Sequence, residues 1–482
     1  MWLYYLLGTL GAIILALLAI VIIRALTFKP KKQLEPLSID DSIDMSVAIS
    51  NLQELIKFKT VSYKDTSLED ESQFEGFISA LPRLFPSVFE KCTFTRLENR
   101  ALLFKWAGSE PNGEASVLMS HYDVVPVDEK CWDVPPFEGV IKDGSLWGRG
   151  AVDTKATLNG VLTSCEHLIK KGFTPKGDIY FAFSGNEETN GLGAPTIVNY
   201  FEENNIKIGL VVDEGGAVVS NVFPGVSEPC AVVGVAEKGM MNVTYKVKTN
   251  GGHASSPAPH TPIGHLSKAC CDIENNPFKF QLTPPVREMF DTLGRHSTFV
   301  YKMIFSNLWL FSGVLNMICK KGGGEINALV RTTVAFTQAS GSVASNVIPP
   351  EASLVSNIRL NPMDSSNKAI EYLKKTVNND KVEICADVLS EPSRISRTDC
   401  EEYDKVARAI RSTWQGALVT PYLMVQCSDS RHYGRLSDKV YRFSAMDLTK
   451  EERSCVHGHN ERVHLDAITN AVKFYINLIS QL

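Results

Sequence analysis

The sequence predicts an α/β protein: a parallel sheet with helices on both faces, interrupted by a small ferredoxin-like α+β insert and preceded by one membrane-spanning helix. Three observations predict it. Short apolar runs alternate with amphipathic helical stretches through the first half, which is the pattern of strand–helix–strand units. Near residue 237 the patterning changes to the two-residue alternation of half-exposed strands. Trp2 to Ile23 carries no charged side chain.

That apolar run is long enough, at about 33 Å as a helix, to cross a hydrocarbon core. A cleaved signal usually has a shorter apolar region, a basic start and a small-residue cleavage site. None of these is evident here, so residues 1–29 read as a retained anchor. Arg24, Lys29, Lys31 and Lys32 follow the run, and positive charge tends to stay cytoplasmic. Residues 30–45 are a polar tether.

Beyond the tether, VAISNLQELIKF has helical spacing. ASVLMS (115–120), DIYFAFSG (178–185) and IGLVVDEG (208–215) read as buried strands, and ATLNGVLTSCEHLIKKG (156–172) as a helix ending on Gly172. MNVTYKVKT, ALVRTTVAFTQAS, EASLVSNIRL and VEICADVLS then read as strands, with helices near 262–274 and 366–379. Their β-α-β-β-α-β order suits a ferredoxin-like sandwich. The expected organisation is a first domain in two pieces, 30–236 and 396–482, around an insert of 237–395. Within the insert, residues 301–319 are unusually apolar. They read as a buried helix pair, with a wall for an apolar substrate or a membrane-facing patch as the alternative.

Composition narrows the function. The net charge is -5 and no long basic run follows residue 32, so the footprint of a nucleic-acid binder is absent. The chain has 11 cysteines, an odd number without CxxC spacing, which argues against a disulfide framework and a thiolate zinc site. Asn242-Val243-Thr244 is a glycosylation sequon, or a chance match inside a strand.

The chemistry-bearing residues gather where strands of the first domain should end. His121 and Asp123 follow one strand, Glu187 and Glu188 another, Asp213 a third, and Asp153 precedes a helix. Ligands of open parallel sheets bind at the carboxyl ends of strands. Several carboxylates in one partly buried pocket repel one another, and divalent cations remove that cost. Oxygen and imidazole donors without cysteine suit two zinc ions, with manganese or cobalt as alternatives.

HYDVVPV, WGRGAVDTK, GNEETNGLGA, VVDEGG, NGGHASSP, NVIPP, SDSRHY and HGHNE together resemble the aminoacylase/carboxypeptidase family of dinuclear zinc metallopeptidases. The resemblance runs from about residue 50 to the C-terminus. EKGMMN, SNLWLF and NVIPPEA resemble its N-fatty-acyl-amino-acid synthase/hydrolase and carboxypeptidase S branch. The resemblance implies that Asp153 bridges two metals, that His121 and Asp213 complete one site, and that Glu188 and His457 complete the other. It makes Glu187 the general base acting on a metal-activated water, and Asp123 the group that orients His121. It has His253, on an insert that serves as a lid, donate to the oxyanion. Asn346 would support the substrate carbonyl, and Arg431, following Asp429, would hold a substrate carboxylate. His459, two residues from His457, is the spare imidazole.

Some positions depart from the family pattern. Asn186 stands where Asp often precedes the Glu pair, Thr154 lies between Asp153 and Lys155, and Val425 to Ser428 replace a Gly-rich loop. The last departure bears on the head group the substrate pocket prefers. The expected activity is cleavage, with formation as the reverse reaction, of the amide bond of N-acyl amino acids, fatty-acyl ones in particular. The alternatives are a carboxypeptidase or dipeptidase on small peptides, and a non-catalytic, membrane-anchored binding protein. The relatives imply a lumenal or extracellular catalytic domain, or secretion if the N-terminal segment is cleaved, and dimerisation through the insert in some members.

Overall fold

The computed structural model describes residues 1–38, 42–110, 113–220, 223 and 225–482. An N-terminal helix, Trp2–Thr27, contains an 18-residue stretch with a mean hydropathy of 3.0 and is long and apolar enough to cross a membrane.

The chain then builds β1 (Thr93–Arg96), β2 (Leu102–Trp106), β3 (Ala115–His121), β4 (Ile179–Ser184), β5 (Ile208–Val219) and β6 (Cys230–Glu237). It leaves this sheet for a second one, made of β7 (Gly239–Lys248), β8 (Thr333–Ser340), β9 (Glu351–Leu360) and β10 (Glu383–Ser390). It returns with β11 (Leu418–Met424) and β12 (Val440–Asp447). The large sheet has the order β1-β2-β4-β3-β5-β12-β6-β11.

That sheet is mixed, which corrects the expectation of a parallel one. β4-β3-β5-β12 run parallel, whereas β2 is antiparallel to β4, and β6 is antiparallel to β12 and to the end of β5. The reason lies in the connections. Parallel neighbours need a crossover, usually helical. β1 and β2 are instead joined by a tight reversal through Asn99 and Arg100, whose φ values are 57° and 55°. No helix lies between β5 and β6 among the described residues, and the end of β5 pairs back with β6, Val218 and Val219 lying opposite Ala231 and Cys230.

The sheet's central strands are buried on both faces. β4 is buried at every residue, and helices Lys155–Lys170 and Leu465–Ile479 pack on one side. Gly160 lets them meet closely: a Cβ there would lie 3.3 Å from the Tyr475 ring. Leu158, Leu162, Phe474 and Ile476 are each fully buried in this core. Burial of one such side chain contributes about 1.5–3 kcal/mol.

The second sheet has the order β8-β9-β7-β10 with every pair antiparallel. β7 alternates buried and half-buried residues, so Met241, Val243, Tyr245 and Val247 form a core with residues of Pro262–Asn275 and Ser366–Val377. The expected β-α-β-β-α-β order is present. Four helices lie between residues 284 and 329, of which the sequence reading named only the middle pair: Pro284–His296, Phe299–Phe305, Leu308–Gly322 and Gly324–Leu329. The apolar stretch 301–319 is indeed a helix pair, bent by 106°. It is not buried as expected: Leu315 and Cys319 face inward, while Trp309, Leu310, Val314, Met317 and Ile318 are exposed. Asn242 lies within β7 and accepts a hydrogen bond from Asn357 at 2.9 Å, a position that fits a chance sequon.

Candidate functional site

The parallel strands deliver their ends to one edge, where loops add the remaining groups. β3 ends on His121, which is only 2% exposed. Its Nδ1 lies 3.0 Å from the backbone oxygen of Asp123. Its Nε2 lies 3.0 Å from Asp153 Oδ1 and 3.3 Å from Glu214 Oε1. On the other side of Asp153, His457 Nε2 lies 2.9 Å from Oδ2 and 3.1 Å from Glu188 Oε2. Asp153 therefore stands between two imidazoles, one oxygen to each. His121, Asp153 and Glu214 form one group of potential metal ligands, and Asp153, Glu188 and His457 a second.

Each ligand is held by a buried partner. The Asp123 carboxylate accepts the backbone N–H of Glu187 on one oxygen and of Glu188 on the other, both at 3.1 Å. One acid thus fixes the turn after β4 while its backbone steers His121. Glu461 does the same for Asp153. Its carboxylate accepts the N–H groups of Gly150, Val152 and Asp153 at 2.7–3.1 Å and pairs with the Arg149 guanidinium at 2.5 Å. Arg149 also donates to the Gly458 oxygen at 2.7 Å, tying the Asp153 loop to the turn that carries His457. His457 itself adopts φ 59°.

The sequence reading put Asp213 beside His121. The structure places Glu214 there instead. Successive strand residues face opposite ways; Asp213 turns away to accept the Ser430 N–H at 3.0 Å, and Glu214 faces the imidazole. Which of two adjacent acids points inward depends on the parity of β5 against β3, and the strand's sequence does not contain that parity. Glu461 lies in the HGHNE motif but was given no role. A buried acid four residues from a candidate ligand was the available signal.

The remaining predicted residues divide into two sets. Asp429 is buried near the acids and accepts the Ser184 hydroxyl. Arg431 lies within the electrostatic reach of Asp429 and Glu187, and donates to the Ser428 oxygen at 2.8 Å and to Asn190 Oδ1 at 3.1 Å. The loop carrying both is braced by Glu237, which accepts the Ser428 N–H at 3.0 Å and pairs with Arg442. His253 and Asn346 lie on the insert, at a short ladder that pairs Gly252–His253 with Val347–Ile348. Both are exposed. His253 Nδ1 lies 2.8 Å from Ser255 Oγ, and no hydrogen bond joins either residue to the acid cluster among the described residues. His459 is exposed and takes no part.

The electrostatics test whether the donors suit cations. Burial, and then the charge of Asp153, pushes both Glu188 and Glu214 up to about 7. Burial pushes Glu187 well above the usual carboxylate range, with Asp429, Glu214 and Glu188 adding to it. Burial would raise Asp153 too, but the two imidazoles outweigh it and hold Asp153 low. Asp153, followed by Glu188, raises His457 to about 11. Glu188 Oε1 is buried without a hydrogen-bond partner. So much negative charge in a low-dielectric pocket must be balanced by protons or cations. An all-oxygen-and-imidazole donor set around one shared carboxylate fits a pair of divalent ions.

The chain is similar to known proteins over most of its length. The model of peptidase family M20/M25/M40 matches residues 117–481. A probable carboxypeptidase S-like 2 of Dictyostelium discoideum is 33% identical, with 97% of this chain and 92% of the relative aligned. An N-fatty-acyl-amino acid synthase/hydrolase PM20D1 of Xenopus tropicalis is 35% identical over 89% of this chain and 85% of its own length. The crystal structure of the M20 family metallo-carboxypeptidase Sso-CP2 from Sulfolobus solfataricus superposes with a TM-score of 0.65. It covers 90% of this chain and 98% of that one at 18% identity, and so speaks to the fold alone. The family match spans well over half of the chain and includes both imidazoles and the acids between them, so the chain is a hydrolase that belongs to peptidase family M20/M25/M40.

Proposed function

We propose that this protein is a two-metal amidohydrolase that cleaves, and in reverse forms, the amide bond between a fatty acyl group and an amino acid. The observation that carries the reading is the shared carboxylate of Asp153 between His121 with Glu214 and His457 with Glu188. The relatives named as N-fatty-acyl-amino acid synthase/hydrolases support the substrate class.

In this reading His121, Asp153 and Glu214 would hold one zinc ion, and Asp153, Glu188 and His457 the other. Such a pair, when bound, polarises the scissile carbonyl and makes a water acidic at neutral pH. The chain's own residues do the rest. Burial and the neighbouring acids raise Glu187 above the usual carboxylate range, which makes its carboxylate a stronger base. It therefore suits the task of taking a proton from the attacking water and passing it to the leaving amine. Asp123 keeps His121 in the tautomer that offers Nε2 to the pocket. Arg431, with Asp429 beside it, is the group for the substrate carboxylate. His253 and Asn346 reach the reacting carbonyl when the insert, residues 237–395, closes as a lid over residues 30–236 and 396–482 or is supplied by a partner subunit. Residues 1–29 anchor the chain, with the catalytic part on the lumenal or extracellular side.

The test is hydrolysis of an N-oleoyl amino acid against a panel of dipeptides, by the full chain in detergent with zinc, beside Glu187→Gln. Acyl-amino-acid turnover that falls by about 10²–10⁴-fold in the variant supports the reading. Turnover of dipeptides alone would move the substrate to peptides. Failure to turn over either with zinc bound would sink the catalytic reading.

A further inference from the structure

Apart from the N-terminal helix, residues 299–322 form an extended apolar feature that the site does not use. The segment FVYKMIFSNLWLFSGVLNMICKKG contains no acidic residue. Its two helices, Phe299–Phe305 and Leu308–Gly322, meet at a 106° elbow and are together apolar enough to count as a broken span. On the second helix Leu310, Val314, Met317 and Ile318 follow the i, i+4, i+7, i+8 spacing of a single face, with Trp309 at its edge, and all five are exposed. Trp309 is 56% exposed and Met317 63%. On the first helix Phe299 and Val300 are exposed as well. Exposed apolar faces of this kind mark contact surfaces.

What covers this face is indicated by what holds the elbow. Its vertex is bonded to the last turns of the membrane-length helix Trp2–Thr27. Asn307 Nδ2 donates to the Val21 oxygen at 3.2 Å, and the Arg24 guanidinium donates to the Ser306 oxygen at 2.8 and 3.0 Å. Val21 and Ala25, the only residues of that helix that are buried, lie at this junction. Just beyond it, Arg295 donates to the Lys29 oxygen at 2.9 Å and stacks on the Phe28 ring, and Lys31 pairs with Asp291 at 2.8 Å. The elbow is thus fastened at the level where the apolar helix gives way to charge. The second elbow helix ends on the exposed Lys320 and Lys321, placed as cations are at a headgroup boundary. Inside, Leu315 and Cys319 pack with Val286, Met289 and Leu423, so the elbow is rigidly joined to β11 of the large sheet.

We infer that the elbow is a second membrane element: its outer face, Trp309 to Ile318, lies in the interfacial layer of the bilayer that the N-terminal helix enters. A lipid surface fits all three features of the face: it is apolar at the centre, cationic at the end, and continuous with a helix of membrane length. The consequence is orientation. One helix alone would leave the catalytic part free to swing on its tether. An elbow seated in the interface holds the large sheet at a set height above the bilayer, where acyl chains partition.

This inference rests on the reading of residues 1–29 as an anchor, and the experiment separates the two. The full chain is reconstituted in vesicles of phosphatidylcholine and phosphatidylglycerol, with and without brominated acyl chains that quench nearby tryptophan. Trp2→Phe and Trp309→Phe are compared with the unchanged chain, so that each difference isolates one indole. The expected result is that both Trp2 and Trp309 lose most of their emission, Trp309 more strongly to bromine near the headgroup end of the chain than to bromine at its tip. Quenching of Trp2 without quenching of Trp309 would overturn the elbow and leave the anchor. Absence of quenching at both tryptophans would overturn the anchor reading as well. Emission from Trp309 that ignores bromine but shifts with protein density in the vesicle would overturn the proposal in favour of a contact between copies.

Discussion

Asp123 has no spare oxygen. One carboxylate oxygen accepts the Glu187 N–H and the other the Glu188 N–H, in a site where the group is fully buried. Its own backbone oxygen meets His121 Nδ1. Three candidate site residues therefore depend on one acid that touches neither proposed metal. Asp123→Ala would orphan two buried N–H groups, at a cost of about 1–3 kcal/mol each. It would also loosen the turn that carries Glu187, the proposed general base. The expected outcome is a fall in zinc affinity of about 10–100-fold, read by competition with a chromogenic chelator, with activity falling alongside. Zinc affinity equal to that of the unchanged chain would show that Asp123 serves packing and not the centre. Glu461 is the corresponding brace for Asp153, and it works through Arg149 on two loops at once.

Among the elements, the strand Arg462–His464, the helix Lys450–Cys455 and β12 are joined by a single imidazole. His464 Nδ1 lies 2.9 Å from Glu452 and Nε2 lies 3.3 Å from Asp447. The helix also carries a capping box, in which Thr449 and Glu452 satisfy each other's backbone. Asp447 and Glu452 raise His464 to about 10. His464 in turn lowers each acid to about 2, against the opposing effect of burial. A raised imidazole stabilises fully below its ordinary value of 6.5, and that contribution is lost as pH rises towards about 10. The lowered acids stabilise above their ordinary values of 3.8 and 4.5, and that contribution is lost as pH falls towards about 2. His464→Gln should therefore lower Tm most between pH 4.5 and 6.5, with the difference shrinking on either side. A Tm difference that stays flat from pH 5 to 10 would refute the ionic account of this junction. The elements of the elbow obey simpler physics: their inner face is core and their outer face is apolar without a protein partner.

At the scale of the whole molecule, the acid cluster sits where the large sheet, the returning C-terminal segment and the loops of residues 148–154 and 456–461 converge. Its ligands come from residues as far apart as 121 and 457, so bound cations would cross-link nearly the entire first layer of the fold. Ligands that bind only the folded state stabilise it by mass action, about 2.7 kcal/mol at one hundred times Kd. Chelation with EDTA should accordingly lower Tm, and added zinc should restore it. A Tm indifferent to chelation, in protein that carries metal by elemental analysis, would show that the cluster is not where the metal resides.

Much of this was legible in the sequence because it is local. Apolar alternation and helical spacing marked β3, β4, β5 and β7, and the run from Trp2 to Ile23 announced its own length. His121, Asp153, Glu188 and His457 could be named because each lies in a short motif at the end of an element. Other features belong to the tertiary structure, because they depend on how one segment meets another. The mixed direction of the large sheet followed from connections that lack helices. That Glu214 and not Asp213 lies 3.3 Å from His121 Nε2 followed from how the end of β5 meets the end of β3. The brace of Glu461 needed a loop 308 residues away in the chain. The elbow's exposed face depended on which side of an evenly apolar stretch found a core, and periodicity cannot choose a side when almost every residue is apolar.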